Sequence, residues 1–400
     1  MDATTQTSHP LMNAYTRAPV RAARGEGCYL WDEDGTRYLD FLAGVAVNAL
    51  GHCHPGLVTA LCDQARTLWH ASNLVRMDGQ DRLAGRLCSA SFADAVFFTN
   101  SGSEAVDFAL KLVRRYHNMN GAPGRWRTIT FADGFHGRSM ADIAAGGQAK
   151  LTKGYEPVVP GFDCVAFADL DAVRAATGPE TAAILLEPVQ GDGGVRVFPD
   201  DFVKALRQHC DDNDLLLVLD EVQTGIGRTG RFFAHEWAGV TPDIAACAKG
   251  LGAGFPLGAV LTTAAVAETV TPGSHGSTLG GNPLAMAVGN ALLDVILADG
   301  FLDGLERIAQ SFRTRLEDIA SRHPAVIAEI RGRGLLLGLR CDEAVPNTSM
   351  LAALRNHGML AGPAGYNVVR ILPPLIITEA EVDEACRAIE AACRDLSKSA

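Results

Sequence analysis

The 400-residue sequence lacks any long run of apolar residues. No stretch reaches the ~18 apolar residues of a membrane-spanning helix. The start, MDATTQTSHP, has an acid at position 2 and no apolar core of the kind that signal peptides carry. Basic charge is also scarce, since 35 Lys and Arg stand against 46 Asp and Glu and leave a net charge of −11. This balance gives no general attraction to nucleic acid or to an anionic membrane, so we expect a cytoplasmic protein that binds neither.

Closely spaced cysteine pairs are absent as well. None of the ten cysteines forms a CxxC pair, and several lie in apolar runs, as Cys247 does in Ile-Ala-Ala-Cys-Ala. A reduced thiol in such a run packs as a small hydrophobic side chain. His52-Cys53-His54 is followed by Pro55 and lacks further ligands at zinc-like spacing. The sequence therefore predicts free thiols and no metal site.

Internal repeats and low-complexity linkers are also missing, so the organisation follows from the alternation of strands and helices. Five short runs are continuously apolar, as expected for parallel strands that are covered on both faces. These runs are 96–99, 128–131, 183–186, 215–219 and 244–248. From Ala105 to Tyr116 the apolar positions repeat at helical spacing. The pattern predicts an α/β fold with a mostly parallel sheet in the major domain.

The two ends of the chain have a different pattern. Asp34-Gly35 lies between two strand-like runs, which is a strong hairpin signal. Towards the other end, the strand-like runs 335–339 and 368–372 precede a helix that opens with the capping-box pattern Thr378-x-x-Glu381. We therefore assign both ends to a second, smaller α+β domain. The predicted parts are 1–55 and 285–400 for the small domain and 56–284 for the large domain.

Polar residues close three of the apolar runs. Glu187, Asp220 and Lys249 follow the runs that begin at 183, 215 and 244. Ligands of parallel α/β sheets bind outside the carboxyl ends of the strands, so all three are candidate site residues. One such acid would be an ordinary cap or turn residue. Three together, one of them a lysine directly after a buried strand, favour a binding or catalytic site.

Two glycine-containing segments are candidates for binding a phosphate group. Residues 225–230 read GxGxxG, but Asp-Glu-Val-Gln-Thr separates them from the preceding strand and no acid follows about 20 residues on, so a dinucleotide site is not favoured. Asn100 to Glu104 lies between a strand and a helix, where small residues present backbone N–H groups to an anion. Ser101-x-x-Glu104 is also a capping box that needs no ligand, so this segment alone leaves both interpretations open.

Taken together, the motifs resemble those of the class III, fold-type I aminotransferases, which depend on pyridoxal phosphate. The resemblance extends from Leu50-Gly51-His52 to Pro373-Pro374-Leu375. Its motifs are Ser101-Gly102-Ser103-Glu104, Phe135-His136-Gly137-Arg138, Glu187-Pro188, Asp220-Glu221-Val222-Gln223, Ala248-Lys249-Gly250 and Ser277-Thr278-Leu279-Gly280-Gly281-Asn282. It implies a large domain with a seven-stranded type of mostly parallel sheet, and a homodimer with shared active sites.

The resemblance also implies a role for each candidate residue. Lys249 would condense with the cofactor aldehyde and move a proton, and Asp220 would keep the ring nitrogen protonated. The implied cofactor-binding residues are Ser101, Gly102, Ser103, Phe135, His136, Asp220, Val222, Gln223, Lys249 and, from the neighbouring subunit, Thr278. The implied substrate-binding residues are Arg138, Glu187, Ser277 and Arg370.

Within the class, the sequence is most similar to members that act on N2-acetylornithine, through Phe-His-Gly-Arg, Ser72-Asn73-Leu74 and Ser277-Thr278. This similarity implies transfer of the terminal amino group to 2-oxoglutarate, a step of arginine biosynthesis. Three departures leave ornithine, succinylornithine and 4-aminobutyrate open as donors. These departures are Val75-Arg76 where aromatic residues are frequent, Leu279 in place of Phe, and Asp192 in place of Glu.

The resemblance implies that Glu187 and Arg370 face each other near the cofactor, and we predict that they form a switch between the two substrates. The acceptor 2-oxoglutarate has a carboxylate beside its reacting carbon and the donor has none, so an arginine placed there is left unpaired with the donor. Glu187 would cover Arg370 in the first half-reaction and release it in the second, and a fixed ion pair is the alternative.

Two other function classes also stay open. A nicotinamide enzyme would use residues 225–230, and a scaffold protein of this fold would be expected to have lost Lys249 or Asp220.

Overall fold

The computed structural model describes residues 11–397 of the chain. The first ten residues, considered above for a signal peptide, and residues 398–400 lie outside this range. The strands are β1 (Ala22–Glu26), β2 (Tyr29–Asp32), β3 (Arg37–Asp40), β4 (Ala95–Thr99), β5 (Arg127–Phe131), β6 (Phe162–Val165), β7 (Thr181–Leu186), β8 (Val189–Gln190), β9 (Arg196–Val197), β10 (Leu216–Asp220), β11 (Ile244–Cys247), β12 (Gly258–Thr262), β13 (Ile327–Arg333), β14 (Leu336–Cys341), β15 (Met359–Leu360), β16 (Gly362–Ala364) and β17 (Val368–Ile371). The α-helices are α1 (Ala43–Ala46), α2 (Pro55–Thr67), α3 (Asp78–Ser89), α4 (Gly102–Met119), α5 (Met140–Ala145), α6 (Ala149–Thr152), α7 (Leu170–Ala176), α8 (Asp200–Asp212), α9 (Ala264–Ala267), α10 (Pro283–Ile296), α11 (Phe301–Arg322), α12 (Asn347–Asn356) and α13 (Glu379–Ser397).

The central sheet has seven strands in the order β4-β12-β11-β10-β7-β5-β6. Only β12 runs against the others, because it pairs antiparallel with both β4 and β11. Every residue of β7, β10 and β11 is buried, which explains why these strands are continuously apolar. The predicted α/β class with a mostly parallel sheet is confirmed, and the five apolar runs correspond to β4, β5, β7, β10 and β11.

Two further four-stranded sheets are built from the ends of the chain. The first has the order β1-β2-β3-β15 and the second β13-β14-β17-β16. The predicted hairpin is present, since β2 and β3 pair antiparallel and Gly35 has the positive φ of +82° that its turn requires. Strand β15 pairs parallel with β3, so both chain ends contribute to one sheet. The exact division at residues 55 and 284 stays a prediction.

One large hydrophobic cluster joins the end sheets to the helices beside the central sheet. Phe41 and Phe312 pack edge to face at 5.9 Å, and the cluster continues through Leu83 into α10. Among residues 11–397 no single helix is long and apolar enough to cross a membrane. The pair α10 and α11, bent by 71°, meets that test jointly on length and composition alone.

The GxGxxG segment does not open a helix. Residues 225–230 form successive turns, and the Arg228 side chain within them is buried. Its Nη1 donates to the carbonyl oxygens of Leu335 at 3.1 Å and of Pro373 at 2.5 Å. The segment therefore anchors the C-terminal part of the chain and lacks the geometry of a dinucleotide fingerprint.

Candidate active site

A cavity of about 390 Å³ lies at the carboxyl ends of β4, β7, β10 and β11. This is where a parallel α/β sheet binds its ligands. The predicted site residues that line it are Ser101, Gly102, Ser103, Phe135, His136, Arg138, Glu187, Asp220, Val222, Gln223 and Lys249. The other three, Ser277, Thr278 and Arg370, do not line it. The four strand ends thus bring together residues that are up to about 150 positions apart in the sequence.

Lys249 follows β11 and begins a short 3₁₀ helix in the cavity wall. Its φ of +37° lies in the left-handed region, which is unfavourable for a lysine and is tolerated where the surrounding structure fixes the backbone. Burial and the positive charge of Arg370 together lower the pKa of its ammonium group to about 8, against the opposing charges of Asp220 and Glu187. The chain therefore supplies an amine that is partly unprotonated near neutral pH.

Asp220, the last residue of β10, is buried and held from two sides. His136 Nδ1 lies 2.8 Å from its Oδ2, and the Val222 backbone N–H donates to its Oδ1 at 3.0 Å. Burial tends to lower the pKa of His136, but the hydrogen bond and the charge of Asp220 outweigh that effect, so the pKa is raised. Asp220 is therefore a buried carboxylate with a fixed orientation, able to pair with a second cationic group in the cavity.

Glu187 follows β7 and is also buried. Its Oε1 accepts from the Phe135 backbone N–H at 2.8 Å, and its Oε2 accepts from the Gly191 N–H at 3.4 Å. Burial raises its pKa to about 7, although the charge of His136 acts in the opposite direction. Both of its oxygens are thus directed by the backbone, and it titrates close to neutral pH.

Arg370 lies in β17, where its side chain is buried. Its Nε donates to the Pro363 carbonyl at 3.0 Å, and its Nη2 lies 3.6 Å from Oδ1 of Asp192. Its ion-pair partner is therefore Asp192, and Glu187 acts on it only through its charge, which favours the protonated guanidinium. The geometry differs from the predicted Glu187–Arg370 pair because Asp192 lies on a turn that reaches the guanidinium directly.

The first turn of α4 forms one end of the cavity. Ser101 caps this helix by accepting from the Glu104 N–H at 3.2 Å, and the Glu104 carboxylate accepts from the Asn100 N–H at 3.0 Å. The capping interpretation is thus realised. It leaves the N–H groups of Gly102 and Ser103 in the helix's first turn, where no intrahelical acceptor exists. Capping and anion binding are compatible here.

The hydroxyl of Ser103 is fully engaged within the chain. It donates to the carboxylate of Asp142, and it accepts from the backbone N–H groups of Arg138 at 3.1 Å and Ser139 at 3.4 Å. A hydroxyl has one proton and two lone pairs, so no capacity is left. An anion at this end would therefore be bound by the backbone N–H of Ser103.

Two glycines show how closely the cavity walls are packed. A Cβ on Gly102 would lie 2.7 Å from a methyl carbon of Val222, so only glycine fits beside that side chain. A Cβ on Gly191 would overlap Oε1 of Gln223, which is buried and has no hydrogen-bond partner within residues 11–397. Gln223 also lines the cavity, so its amide group is a polar contact available to a ligand there.

The remaining predicted residues lie at the rim or outside it. Arg138 is exposed, and its guanidinium lies 5.4 Å from the centre of the Phe135 ring. Ser277 Oγ lies 3.4 Å from Nδ2 of Asn100, which lines the cavity. Thr278 is exposed and lines a separate cavity in the same chain. Of these three, only Arg138 directly faces the first cavity.

Sequence reasoning missed two carboxylates that contact predicted site residues. Asp142 fixes the hydroxyl of Ser103, and its signal was the capping box Ser139-x-x-Asp142 at the start of α5. Asp192, noted only as a departure from the family pattern, pairs with Arg370. Within the described part of the chain, no group of three or more His, Cys, Asp or Glu side chains could hold a metal ion.

The cavity also admits a chemical test of fit for pyridoxal phosphate. It offers an amine of lowered pKa, a buried carboxylate for a cationic ring nitrogen, a helix N-terminus for a phosphate, and an unpartnered amide for a ring hydroxyl. The walls beside Val222 and Phe135 are apolar, as a flat ring requires. The residues present fit this cofactor.

The fold and this set of groups define a pyridoxal-phosphate-dependent aminotransferase. The chain belongs to the class III aminotransferases, because the family model described as Aminotransferase class-III matches residues 11–393. It is 57% identical to the acetylornithine aminotransferase of Brucella melitensis biotype 1 over 391 residues, covering 98% of this chain and 96% of that protein. The corresponding protein of Agrobacterium fabrum is 55% identical, with 98% of each chain covered.

Solved structures give the same picture. The ornithine aminotransferase of Toxoplasma gondii ME49 superposes with a TM-score of 0.94 at 34% identity, covering 98% of this chain and 94% of that one. The N-acetylornithine aminotransferase of Stenotrophomonas maltophilia K279a has a TM-score of 0.84 at 37% identity, covering 96% and 98%. These neighbours confirm the predicted family and fold type.

Proposed function

We propose that the protein transfers the terminal amino group of N2-acetylornithine to 2-oxoglutarate, giving N-acetylglutamate 5-semialdehyde and glutamate, a step of arginine biosynthesis. We choose this donor because the chain is 57% identical, over 98% of its length, to a protein named acetylornithine aminotransferase. The cavity supports transamination as the type of reaction, because it combines an amine of lowered pKa with a buried, oriented carboxylate.

Pyridoxal phosphate supplies an aldehyde that condenses with amines and a ring that takes up electrons when the neighbouring carbon loses a proton. On this chain Asp220 would hold the ring nitrogen and Lys249 the aldehyde end. Gly102 and Ser103 would bind the phosphate through their backbone N–H groups. Val222 and Phe135 would enclose the ring, with the amide of Gln223 as a further polar contact.

Lys249 is suited to act as both nucleophile and proton carrier. An ordinary lysine, with a pKa near 10.5, is almost wholly protonated at neutral pH, whereas a pKa of about 8 leaves a usable fraction of free amine. With the cofactor bound, the amine of Lys249 would be placed to accept the proton that the substrate carbon loses. Its strained backbone supports this role by fixing the direction of the side chain.

Arg138 and Arg370 would bind the substrate carboxylates. Arg138 has no ion-pair partner among residues 11–397 and lies at the rim, so it suits the carboxylate that is distal to the reacting amine. Arg370 would bind the carboxylate beside the reacting carbon of 2-oxoglutarate. Ser277 would add a contact at the rim near Asn100.

We retain the switch as a proposal, but with Asp192 in place of Glu187 as the carboxylate that covers Arg370. The 3.6 Å ion pair supports Asp192 as the group that covers Arg370 when the donor is bound, and Glu187 contributes through its charge. Stopped-flow measurement of both half-reactions tests this. Asp192→Asn should slow the acetylornithine half-reaction relative to the glutamate half-reaction more than Glu187→Gln does, and equal losses in both halves would leave a fixed structural pair.

We also propose a homodimer, in which Thr278 of one subunit completes the site of the other. An apolar cavity lined by Leu61, Trp69, Phe255, Leu279 and Leu284 adjoins the active-site cavity, and Trp69 is 66% exposed. Apolar surface of this kind is typical of an interface. Sedimentation should give twice the chain mass, whereas a monomer with full activity would contradict the shared site.

The proposed compartment is the cytoplasm. All ten cysteines are free thiols, which supports a reducing environment. Fractionation of the source cells checks this directly. Activity in an oxidising compartment would contradict it.

The decisive experiment is a comparison of kcat/KM for four donors with 2-oxoglutarate as acceptor. Acetylornithine should exceed ornithine, succinylornithine and 4-aminobutyrate. An equal or higher value for any of the other three would replace the proposed donor. Absence of transamination with all four would leave only the family assignment.

A further inference from the structure

A single carboxylate, that of Asp192, is shared by two cations from different parts of the fold. Its Oδ1 lies 3.6 Å from Nη2 of Arg370, and its Oδ2 lies 3.3 Å from Nζ of Lys150. The Arg370 side chain is 9% exposed and the Lys150 side chain 64%, with Asp192 between them at 29%. The three charges therefore connect the buried substrate arginine to a lysine on the surface.

Both neighbours of Asp192 are held by well-anchored backbone. Gln148, which precedes α6, donates from Nε2 to the Gly134 carbonyl at 2.7 Å, so the helix that carries Lys150 is tied to the loop beside the cavity. The Asp192 carbonyl accepts from the Gly365 N–H at 2.8 Å, which ties its turn to the segment before β17. The lysine and the arginine thus contact different oxygens of the Asp192 carboxylate, each from an anchored segment.

We propose that Lys150 is a positioning residue that sets how readily Arg370 accepts the carboxylate of 2-oxoglutarate. This inference rests on the proposed function, in which Arg370 binds that carboxylate after Asp192 withdraws. Lys150 draws the Asp192 carboxylate away from Arg370 and offers it a partner once it has been displaced. Without Lys150, the whole charge of Asp192 remains available to Arg370, and an incoming carboxylate has a stronger competitor.

The effect should be modest, because Lys150 is exposed. Solvent-exposed ion pairs contribute about 0.2–1 kcal/mol, which corresponds to a change in binding of at most about fivefold. The direction is specific. Removal of Lys150 should weaken binding of dicarboxylates and should not slow the acetylornithine half-reaction, in which Arg370 is covered.

The test uses glutarate, a dicarboxylate without a keto group, and a double-mutant cycle on the holoenzyme. Calorimetry should give a Kd for glutarate about two- to fivefold higher for Lys150→Met than for the wild type. Lys153→Met, a lysine in the same segment without an ion-pair partner among the described residues, should leave the Kd unchanged. The KM for 2-oxoglutarate should rise by the same factor as the Kd.

The Asp192→Asn background decides whether Lys150 acts through Asp192. On the proposal, Lys150→Met has no effect on glutarate binding once Asp192 is neutral. An equal effect in both backgrounds would mean general attraction of anions and would overturn the positioning role, as would an unchanged Kd in the single variant. Because glutarate binding needs no turnover, this result stays readable if acetylornithine proves not to be the donor, so the two proposals fail separately.

Discussion

Two consecutive acids at the end of β10 have opposite surroundings. Asp220 faces the cavity with His136 and Lys249, a group that we call the cavity face. Glu221 points to the other side, where it accepts from the Thr224 hydroxyl and from the His235 backbone N–H at 2.9 Å, a group that we call the back face. Both acids are buried, at 3% and 0% exposed. Burial alone therefore does not make a carboxylate functional, and its partners and access to the cavity decide.

The partners explain the difference in physical terms. Asp220 pairs with His136, and although burial lowers the pKa of that histidine, the hydrogen bond and the charge of Asp220 raise it, so a cationic partner is favoured beside this acid. Within the described part of the chain, the donors to Glu221 are neutral, and burial raises its pKa to about 7 despite the hydrogen bonds from Thr224 and His235. The cavity face thus pairs its acid with a cationic group, whereas the back face surrounds its acid with neutral donors.

The largest expected effect is on the cavity face, at Lys249. Lys249→Ala should lower transamination by roughly 10³-fold or more, because a positioned acid–base group and the nucleophile are lost together. Borohydride reduction of the wild-type holoenzyme, followed by peptide mapping, should place the cofactor on Lys249. Lys153→Ala serves as the control and should keep full activity. An adduct on Lys153 or Lys204 would disprove the assignment.

Next in size is the contrast between the two acids. Asp220→Asn should slow the single-turnover half-reaction by roughly 10²–10³-fold, because an amide no longer favours the protonated ring. Glu221→Gln preserves the size of its side chain and faces away from the cavity, so its rate should stay close to the wild-type rate. Rapid-mixing spectroscopy of both variants, with the cofactor content measured first, checks this. Similar losses in the two would remove the distinction between the faces.

The back face should instead control the pH dependence of stability. Folded Glu221 keeps its proton up to about pH 7, whereas a pKa of 4.5 applies without the fold, so between these values the folded state binds more protons. Stability therefore falls as pH rises through this window, by on the order of 3 kcal/mol for this one group.

Chemical denaturation at pH 5 and pH 8 measures this effect. Glu221→Gln cannot ionise, so it should gain stability relative to the wild type at pH 8 but not at pH 5. Glu187→Gln should change the slope in the same direction, since the pKa of Glu187 is also raised to about 7. A wild-type slope that is unchanged in the Glu221 variant would show that this acid does not titrate in the window.

The sequence predicted the strand ends of this site because buried parallel strands are continuously apolar and end abruptly in polar residues. The strand pattern alone did not separate Asp220 from Glu221, because which side of the sheet a side chain takes after the strand depends on the turn that follows; the resemblance to the family selected Asp220. Two strands of the central sheet were also missed. β6 contains an acid within Phe-Asp-Cys-Val, and β12 begins at a glycine after Phe-Pro-Leu, so neither is a plain apolar run.

Contacts between distant segments could not be predicted from the sequence, for a different reason. The resemblance implied that Glu187 faces Arg370, but the guanidinium is 3.6 Å from Asp192, which the turn after β8 places beside it. The resemblance also implied that Ser103 binds the cofactor, but it did not show that the Ser103 hydroxyl donates to Asp142, which leaves the backbone N–H for that role. Each pairing depends on side-chain competition in the folded chain, which residue type and spacing do not encode.

The smallest effect is expected at Arg138, which lies at the rim of the cavity, in contrast to the residues of the cavity face. Arg138→Lys keeps the positive charge but loses the planar fork that binds a carboxylate through two hydrogen bonds, so the KM for acetylornithine and for 2-oxoglutarate should each rise about tenfold. The kcat should change little, because the residue lies away from Lys249 and the reacting carbon. Arg66→Lys, on exposed helix α2, is the control and should leave both KM values unchanged. Steady-state kinetics with each substrate varied measures both KM values. If neither KM changed, Arg138 would not bind the substrate carboxylates. A decrease in kcat alone would instead indicate that Arg138 acts on the reaction at the cavity face.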